Sequence, residues 1–270
     1  MLKFKILTLG LFCLSFLPSP PPALGANGIP LHFYHNYEIV LHASLDHRGQ
    51  VNYSSLKIKH RLLDQVLVQF GSLSPTAFSH WKPKDQVAFY INAYNARALQ
   101  MVVDHYPLKS IQDIPGDWST FPFPLLGQSI TLKDVEREIL EKPYADPRVC
   151  LALVPSFRGG PVLRNRPYYG SQLDSLLEEQ AWRFFKRPEE FNIDRVQNVV
   201  YLSPILKQHA GDFMKLYGTS RFNFLDEKNR AVVNFVSQHV KPRDRDYLNK
   251  TPVFSLKYLE EDWSLNDRLQ

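Results

Sequence analysis

The longest stretch with helical spacing of apolar residues lies between Pro83 and Pro107. Its apolar positions recur every three or four residues, the period of an α-helix with one buried face. They are Val87, Ala88, Ile91, Tyr94, Ala98, Leu99 and Val102. Asn95 falls near the middle of that face and Asn92 on its shoulder. Because a buried amide is costly without hydrogen-bond partners, we expect Asn95 to tie this helix to a neighbouring loop.

Five further segments show helical spacing or helix-start signals. Thr131 and Asp134 have the spacing of a capping box, with Asp in place of the usual Glu. Ser203 followed by Pro204 is typical of a helix start, because proline suits the first helical position. The predicted helices are Leu56–Phe70, Thr131–Leu140, a helix capped by Ser171 that extends through Phe185, a helix opened by Ser203 and closed by Gly218, and Asp226–Val240.

Strand signals are fewer. A continuous apolar run predicts a buried strand over Arg148–Val154, and β-branched or alternating residues predict strands over Val196–Leu202 and Val253–Leu259. These strands are too few and too irregularly spaced for a repeated strand–helix–strand winding. The pattern therefore predicts an α+β fold, a predominantly helical single domain around a small β-sheet.

The beginning of the chain has the pattern of a secretory signal peptide. Met1–Lys5 is basic, Ile6–Leu17 is apolar and uncharged, and Ala23 and Gly25 are small residues at the two positions that a signal peptidase inspects. The apolar run is shorter than the roughly 20 residues that a membrane span needs. We expect a cleaved signal over residues 1–25, a lead-in over 26–36, a domain over 37–267, and a secreted or periplasmic location. An uncleaved N-terminal anchor is the alternative.

Composition narrows the class of protein. The chain has 270 residues, of which 44% are hydrophobic and 22% are charged, a balance typical of a globular domain. Removal of residues 1–25 would lower the net charge from +5 to +3, because Lys3 and Lys5 lie there. The remaining basic residues are dispersed, which argues against nucleic acid as a partner. No later stretch is apolar enough to span a membrane.

Cysteine is scarce, since Cys13 and Cys150 are the two in the chain. Cys13 lies in the predicted signal, so the mature chain would hold a single thiol and no internal disulfide. Cys150 lies in an apolar run, which favours a buried and inert thiol over a reactive nucleophile, because apolar surroundings suppress the thiolate.

Several motifs together resemble one family. They are Ala88–Asn95, Tyr106-Pro107, Ser110-Ile111, Leu132–Glu136 with Ile139-Leu140, Asp146–Arg148, Leu202-Ser203 with Asp212-Phe213, and Asp262–Asn266. Their order and spacing resemble the domain of unknown function 547 family over roughly residues 37–267. The resemblance implies a mostly helical α+β domain and is compatible with an envelope location. It implies no reaction.

One departure from the family pattern bears on chemistry. After the Asp-Pro-Arg segment, many members have a histidine and then a segment with two cysteines. In this sequence Cys150 stands at the histidine position, while Pro155 and Gly160 stand at the two cysteine positions. Neither proline nor glycine supplies a nucleophile or a metal ligand. A thiol mechanism based on that cysteine pair is therefore absent from this chain.

The remaining candidates point to ligand binding. The segment Ser156–Gly160 has the composition of an anion-binding nest beside an arginine, although a tight turn is the commoner role of such a loop. His32 and His35 are closely spaced, but they lie in a segment expected to be loose, so we predict no metal site. We also predict no cofactor. The candidate ligand-binding residues are Asn92, Tyr94, Asn95, Arg148, Arg158, Gly159, Gly160, Asp262 and Asn266.

Two functions remain open at this level. The first is a ligand- or partner-binding or catalytically diverged domain, which would contact an unidentified small molecule or protein through the arginine-containing loop and the Asn92/Tyr94/Asn95 region. The second is an envelope hydrolase or acyl-transfer enzyme that uses Cys150 or a site without a recognisable motif. The second requires a histidine near Cys150 and a pocket that opens onto its thiol.

Overall fold

Helices form most of the framework in the computed structural model, which describes residues 29, 32–116, 118–140 and 146–268. The predicted signal, residues 1–25, lies outside the described residues. The helices are α1 (His35–Ser44), α2 (Tyr53–Ile58), α3 (Arg61–Gly71), α4 (Pro75–Ser79), α5 (Pro83–His105), α6 (Leu132–Leu140), α7 (Leu173–Phe185), α8 (Pro204–Gln208), α9 (Met214–Tyr217), α10 (Glu227–His239) and α11 (Pro242–Lys250).

Two small sheets accompany the helices. Strands β1 (Phe123–Leu125) and β2 (Gln128–Ile130) form an antiparallel hairpin. Strands β3 (Phe191–Asp194), β4 (Val199–Leu202) and β5 (Ser255–Tyr258) form a sheet in that order, with β3 antiparallel and β5 parallel to β4. The predicted α+β class with helices predominant is confirmed, and the strands predicted within 196–202 and 253–259 are present.

Helix α5 is the centre of the first of two hydrophobic clusters. Its burial is wider than the single face predicted from the sequence, because Phe89, Tyr90, Ala93 and Ala96 are buried as well. A helix that is apolar on nearly all sides is typical of a core position. Helices α1, α3 and α6 pack around it or its neighbours.

The second cluster joins the end of α7, the three-stranded sheet and α8 to α10. A short 3-10 helix, Pro147–Leu151, connects the two clusters. Val149 packs in the first cluster, and Cys150 and Leu151 pack in the second. Cys150 therefore lies where the two cores meet.

The predicted strand over Arg148–Val154 is wrong, since this segment begins as the 3-10 helix just described. The Asp146 side chain caps its start by accepting a hydrogen bond from the Arg148 N–H at 2.9 Å. Pro147 then fixes a backbone angle suited to a helical turn. The cap and the proline outweigh the strand preference of the apolar run, whose predicted burial is nevertheless observed.

Several predicted helices have different boundaries in the structure, because short turns divide or precede them. The segment 56–70 is divided between α2 and α3 by a turn at Lys59 and His60, and the segment 204–217 is divided between α8 and α9. Ser171 does not cap α7, because it lies within a 3-10 turn, Gly170–Gln172, that precedes the helix. His35 begins α1, so the segment expected to be loose is helical from that residue.

Within the described residues, none of the helices combines the length and the apolar character that crossing a membrane requires.

Candidate functional site

The C-terminal segment Asp262–Asp267 pairs with the loop Ser156–Gly160, which we call the arginine loop. Arg158 N donates to Ser264 O at 2.9 Å, and Gly159 N donates to Asp262 O at 2.9 Å. Gly160 N donates to Phe157 O, within the same loop, at 3.4 Å. Because these N–H groups already have acceptors within the chain, the arginine loop does not present the backbone nest that its composition suggested.

Gly159 is required by the closeness of this pairing. A Cβ atom built on Gly159 would lie 2.6 Å from the Asp262 amide nitrogen. That distance is too short for any side chain, so the backbones could not approach as they do with another residue at position 159.

A cleft of about 610 Å³ opens beside the arginine loop, and we call it the arginine cleft. Five cationic side chains and three carboxylates line it, together with backbone and apolar groups. The cationic residues are Arg48, Arg158, Arg183, Lys186 and Arg187, and the acidic residues are Glu189, Glu260 and Asp262. The lining thus has an excess of positive charge. Of the predicted ligand-binding residues, Arg158, Gly159, Asp262 and Asn266 border this cleft.

Arg187 holds the arginine loop against the end of α7. Its Nη1 donates to Gly160 O at 2.7 Å and its Nη2 to Arg158 O at 2.8 Å. Its Nε donates to Glu189 at 3.0 Å, and Nη2 lies 2.9 Å from the buried carboxylate of Glu190. Arg158 donates to Leu265 O at 3.2 Å. These two guanidinium groups are therefore committed to shaping the wall of the cleft.

Arg183 differs from its neighbours. Its side chain is half-buried in the wall of the arginine cleft, and among the described residues its guanidinium forms neither a hydrogen bond nor an ion pair. Burial lowers the pKa of Arg183, and the nearby positive charge of Arg164 lowers it further. The negative charge of Glu179 acts in the opposite direction. The Arg183 nitrogens keep contact with solvent in the cleft, where a ligand could reach them.

Asn92 and Asn95 act as ties within the core. Asn92 Nδ2 donates to Tyr168 O at 2.8 Å, and its Oδ1 accepts from Tyr168 N at 2.8 Å. Asn95 Nδ2 donates to Ala152 O at 3.0 Å, and its Oδ1 accepts from Val154 N at 2.8 Å. The predicted link between Asn95 and a neighbouring loop is confirmed. Both amides are satisfied by backbone, which leaves them little capacity for a ligand.

Arg148 is surrounded by carboxylates. It contacts Asp146 at 2.7 Å, Asp174 at 2.5 Å and Glu178 at 3.0 Å. Burial opposes the charged form, but the carboxylates more than offset it and hold the pKa of Arg148 above its usual value. Arg148 thus joins α7 to the start of the 3-10 helix and does not line the arginine cleft.

Asn266 and Asp262 border the arginine cleft with different exposure. Asn266 is buried, and its Oδ1 accepts a hydrogen bond from the Tyr53 hydroxyl at 2.8 Å. Asp262 is exposed, and its carboxylate accepts from Ser264 N at 3.0 Å. Asp262 therefore remains accessible to a ligand, whereas Asn266 mainly fixes the C-terminal segment.

Cys150 lines a second, smaller pocket of about 190 Å³, which we call the Cys150 pocket. Its polar lining includes Tyr94, Glu136, His209 and Glu261, and its apolar lining includes Leu153, Pro155, Phe157, Ile205 and Trp263. Tyr94 is thus the one predicted ligand-binding residue that faces this pocket.

An imidazole and carboxylates lie next to the thiol. His209 Nδ1 is 3.0 Å from Asp212 Oδ2, and His209 Nε2 is 3.5 Å from Glu136 Oε1. The Cys150 thiol forms no hydrogen bond to His209 or to any other part of the chain that the structure describes. The histidine that the enzyme hypothesis requires is thus in the same pocket, but its ring nitrogens face carboxylates.

Electrostatics disfavour a thiolate at this position. Cys150 is 2% exposed. Burial raises the pKa of the Cys150 thiol well above its usual value, and the negative charges of Asp212 and Glu136 raise it further. Reactive cysteines normally have electropositive surroundings, and the Cys150 pocket has the opposite character.

The segments that carry the family resemblance meet at the Cys150 pocket. Tyr94 comes from the α5 motif and Glu136 from the α6 motif, and Asp212 contacts His209 at its edge. Cys150 and Pro155, which stand at the family's histidine and first cysteine positions, both line the pocket. The departure noted in the sequence is therefore concentrated in one cavity.

Sequence reasoning did not single out Arg183, His209 or Glu261 as site residues. Arg183 lies on α7, where an arginine at the end of an amphipathic helix resembles an ordinary surface residue. His209 follows α8, and it reaches the Cys150 pocket because α8 and Cys150 pack in the same second cluster. The available signal was that His209 stands three residues before the Asp212 of a family motif.

Comparisons with known proteins agree with the motif resemblance. Residues 78–185 match the family model described as "Protein of unknown function, DUF547". That segment includes α5, α6, Cys150, the arginine loop and Arg183, while His209 and the C-terminal segment lie beyond it. Comparisons with curated proteins and with solved structures found no match. The resemblance drawn from the motifs is thus confirmed over residues 78–185, the segment that matches the DUF547 family model.

Proposed function

We propose that this protein is a catalytically diverged binding domain that holds a small oxyanion, a carboxylate or a phosphate, in the arginine cleft. We also propose that the protein is secreted or periplasmic, because residues 1–25 have the pattern of a signal peptide. A measured mass of the mature protein that lacks residues 1–25 would support this location.

The observation that carries the proposal is the unpartnered guanidinium of Arg183. Burial has removed part of its hydration, and the described chain supplies no acceptor in return. An oxyanion would supply that acceptor, because the planar guanidinium fork matches the geometry of carboxylate and phosphate oxygens. Ligand binding would then give the guanidinium the acceptor that the described chain does not supply.

The surroundings of Arg183 favour an anion as well. Arg164 and Arg187 contribute positive charge near it, which Glu179 offsets in part. The exposed side chains of Arg48 and Lys186 line the same cleft. A guanidinium repelled by like charges gains more from an anion than an isolated one does. The volume of the cleft, about 610 Å³, is in the range typical of small-molecule sites.

Calorimetric titration with inorganic phosphate and with succinate tests the proposal. Arg183→Gln should weaken binding of the better probe by about 10- to 100-fold, the cost of one charge-assisted hydrogen bond. Arg243→Gln is the matched control, because Arg243 is exposed on α11 and does not line the cleft. The affinity of Arg243→Gln for the anion should stay within about twofold of that of the parent chain. The affinities of the parent chain and of Arg243→Gln should both fall as salt is added.

The proposal fails if neither probe binds, or if both substitutions weaken binding equally. Equal effects would mean that overall charge attracts the anion and that Arg183 has no special part. Circular dichroism and thermal unfolding of each variant separate loss of a ligand contact from loss of structure.

A second candidate, a thiol enzyme, is favoured by one observation. His209 shares the pocket of Cys150 and lies 3.0 Å from Asp212. In many thiol enzymes a histidine acts as the base for the cysteine nucleophile, and a third side chain orients that histidine. Activation of Cys150 would require a change that removes the negative charges around it. Rapid modification of Cys150 at neutral pH would support this candidate over the binding proposal.

A further inference from the structure

We propose that the Cys150 pocket is a separate binding site for a small organic ammonium group, such as a primary or methylated amine. This site is distinct from the arginine cleft, and it does not depend on the anion proposal.

Negative charge without matching positive charge is the first support. Glu136 and Glu261 line the pocket. Within the described chain the Glu261 carboxylate forms no hydrogen bond or ion pair, and the one side chain within ion-pair distance of Glu136 is His209, at 3.5 Å, which carries a charge only when protonated. No lysine or arginine is among the described lining residues. A cation in this pocket would therefore lie near carboxylates whose negative charge is not neutralised by a lysine or an arginine in the lining.

The second support is the hydroxyl of Tyr94. Tyr94 is 5% exposed and lines the pocket, and its hydroxyl has no hydrogen-bond partner among the described residues. The Tyr94 hydroxyl keeps solvent contact through the pocket, so it is available to a ligand there. An ammonium N–H would donate to this oxygen, which accepts hydrogen bonds as readily as it donates them.

The walls of the pocket select an organic cation. Phe157 and Trp263 pack with their ring centroids 4.8 Å apart, and Tyr94 adds a third ring to the lining. Aromatic faces attract ammonium groups, and aliphatic neighbours such as Ile205 accommodate their methyl or methylene carbons. A volume of about 190 Å³ equals that of roughly six water molecules in the liquid. A head group of that size fits.

The two cavities lie on opposite sides of one short segment. Phe157 lines both, Glu260 and Asp262 line the arginine cleft, and Glu261 and Trp263 line the Cys150 pocket. Alternate residues of this extended segment therefore serve cavities of opposite charge, as expected when successive side chains point to opposite sides.

The test uses an isosteric pair of probes, tert-butylammonium and tert-butanol, in calorimetry and saturation-transfer NMR. With the unaltered chain, tert-butylammonium should bind at least tenfold more tightly than tert-butanol. Glu261→Gln should weaken tert-butylammonium binding at least tenfold, and Tyr94→Phe should weaken it to a smaller extent. Glu260→Gln is the matched control, with binding within about twofold of the parent chain, because Glu260 borders the other cavity.

Four results would overturn the proposal. The first three are no binding of tert-butylammonium, equal binding of the neutral probe, and an equal loss in the Glu261 and Glu260 variants. The comparison of the two probes does not require any variant to fold. Displacement of tert-butylammonium by calcium or zinc chloride at equal or lower concentration would indicate a metal site and would also overturn it. Arg183→Gln should leave this binding unchanged while it weakens phosphate binding, so the two proposals can fail separately.

Discussion

Asn95 Oδ1 accepts a hydrogen bond from Val154 N at 2.8 Å, which joins the middle of α5 to the chain just after the Cys150 segment. The same side chain donates to Ala152 O at 3.0 Å. One amide therefore replaces the regular backbone pairing that this non-helical, non-strand segment lacks. The position of Cys150 between the two cores depends on this link.

Replacement of Asn95 should destabilise the protein. Asn95→Leu would leave the Val154 N–H and the Ala152 carbonyl buried without partners, at a cost of about 1–3 kcal/mol in the free energy of unfolding. Urea denaturation measures this change. Asn192→Leu is the control, because Asn192 is exposed on β3, and its effect should stay within about 0.5 kcal/mol. Equal stabilities of the two variants would show that the Asn95 bonds contribute nothing.

Gly159→Ala should disturb the pairing of the arginine loop with the C-terminal segment. The added Cβ would lie 2.6 Å from Asp262 N, and relief of that overlap should cost about 1–3 kcal/mol. Gly211→Ala provides the control, since a Cβ there meets nothing within 4 Å. That variant should be neutral or more stable by up to about 1 kcal/mol. Both are measured by thermal unfolding, and a neutral Gly159→Ala would contradict the close approach.

Cys150 should react slowly with thiol reagents in the native protein. Its burial and its carboxylate neighbours suppress the thiolate, so modification should require local opening and run on the order of a hundredfold slower than in the denatured chain. Mass spectrometry of labelled peptides locates the modified thiol, and Cys150→Ser identifies its signal. A native rate equal to the denatured rate would contradict the described burial.

Glu190 should make stability depend on pH. Burial raises the pKa of Glu190 to about 8, although the charge of Arg187 acts in the opposite direction. The folded state therefore holds this proton over a range where the unfolded chain, with its ordinary pKa of 4.5, has released it. The contribution of protonated Glu190 to the free energy of unfolding is fully present below pH 4.5 and is lost as the pH rises towards 8. The free energy of unfolding should fall by at most about 1.4 kcal/mol per pH unit over that range.

The test of this dependence is urea denaturation of the parent chain and of Glu190→Gln between pH 5 and 9. The parent should lose stability over that range relative to the variant, because the glutamine has no proton to release. Parallel stability curves would mean that Glu190 titrates with an ordinary pKa in the folded protein.

Much of the fold was predictable because its signals are local. The periodic apolar residues of α5, the capping box at Thr131 and the proline after Ser203 each act within one or two turns. The Cys150 segment was assigned to the wrong element because its apolar run has strand character, whereas the cap from Asp146 to the Arg148 N–H decides its conformation. The α8–α9 interruption contains Gly211, a helix-weakening residue that the prediction of one helix did not take into account.

The sites were harder to predict than the fold. The composition of the arginine loop pointed to the cleft, but the reason given, free N–H groups, does not hold, since those groups pair with the C-terminal segment. Arg183 and His209 become site residues only through contacts between distant parts of the chain. Single-sequence patterns do not report such contacts. Cys150 was predicted to be buried, but the pocket that it shares with His209 forms because distant parts of the chain pack in the second cluster.

The pairing of the C-terminal segment with both the arginine loop and Val51 has a consequence for ligand binding. Val51 N donates to Asn266 O at 3.0 Å, and residues from Glu260 to Trp263 line the two cavities. Because both cavities take part of their lining from this one segment, neither is complete unless the segment is docked. A ligand in either cavity would therefore stabilise the docked segment and, through it, the other cavity.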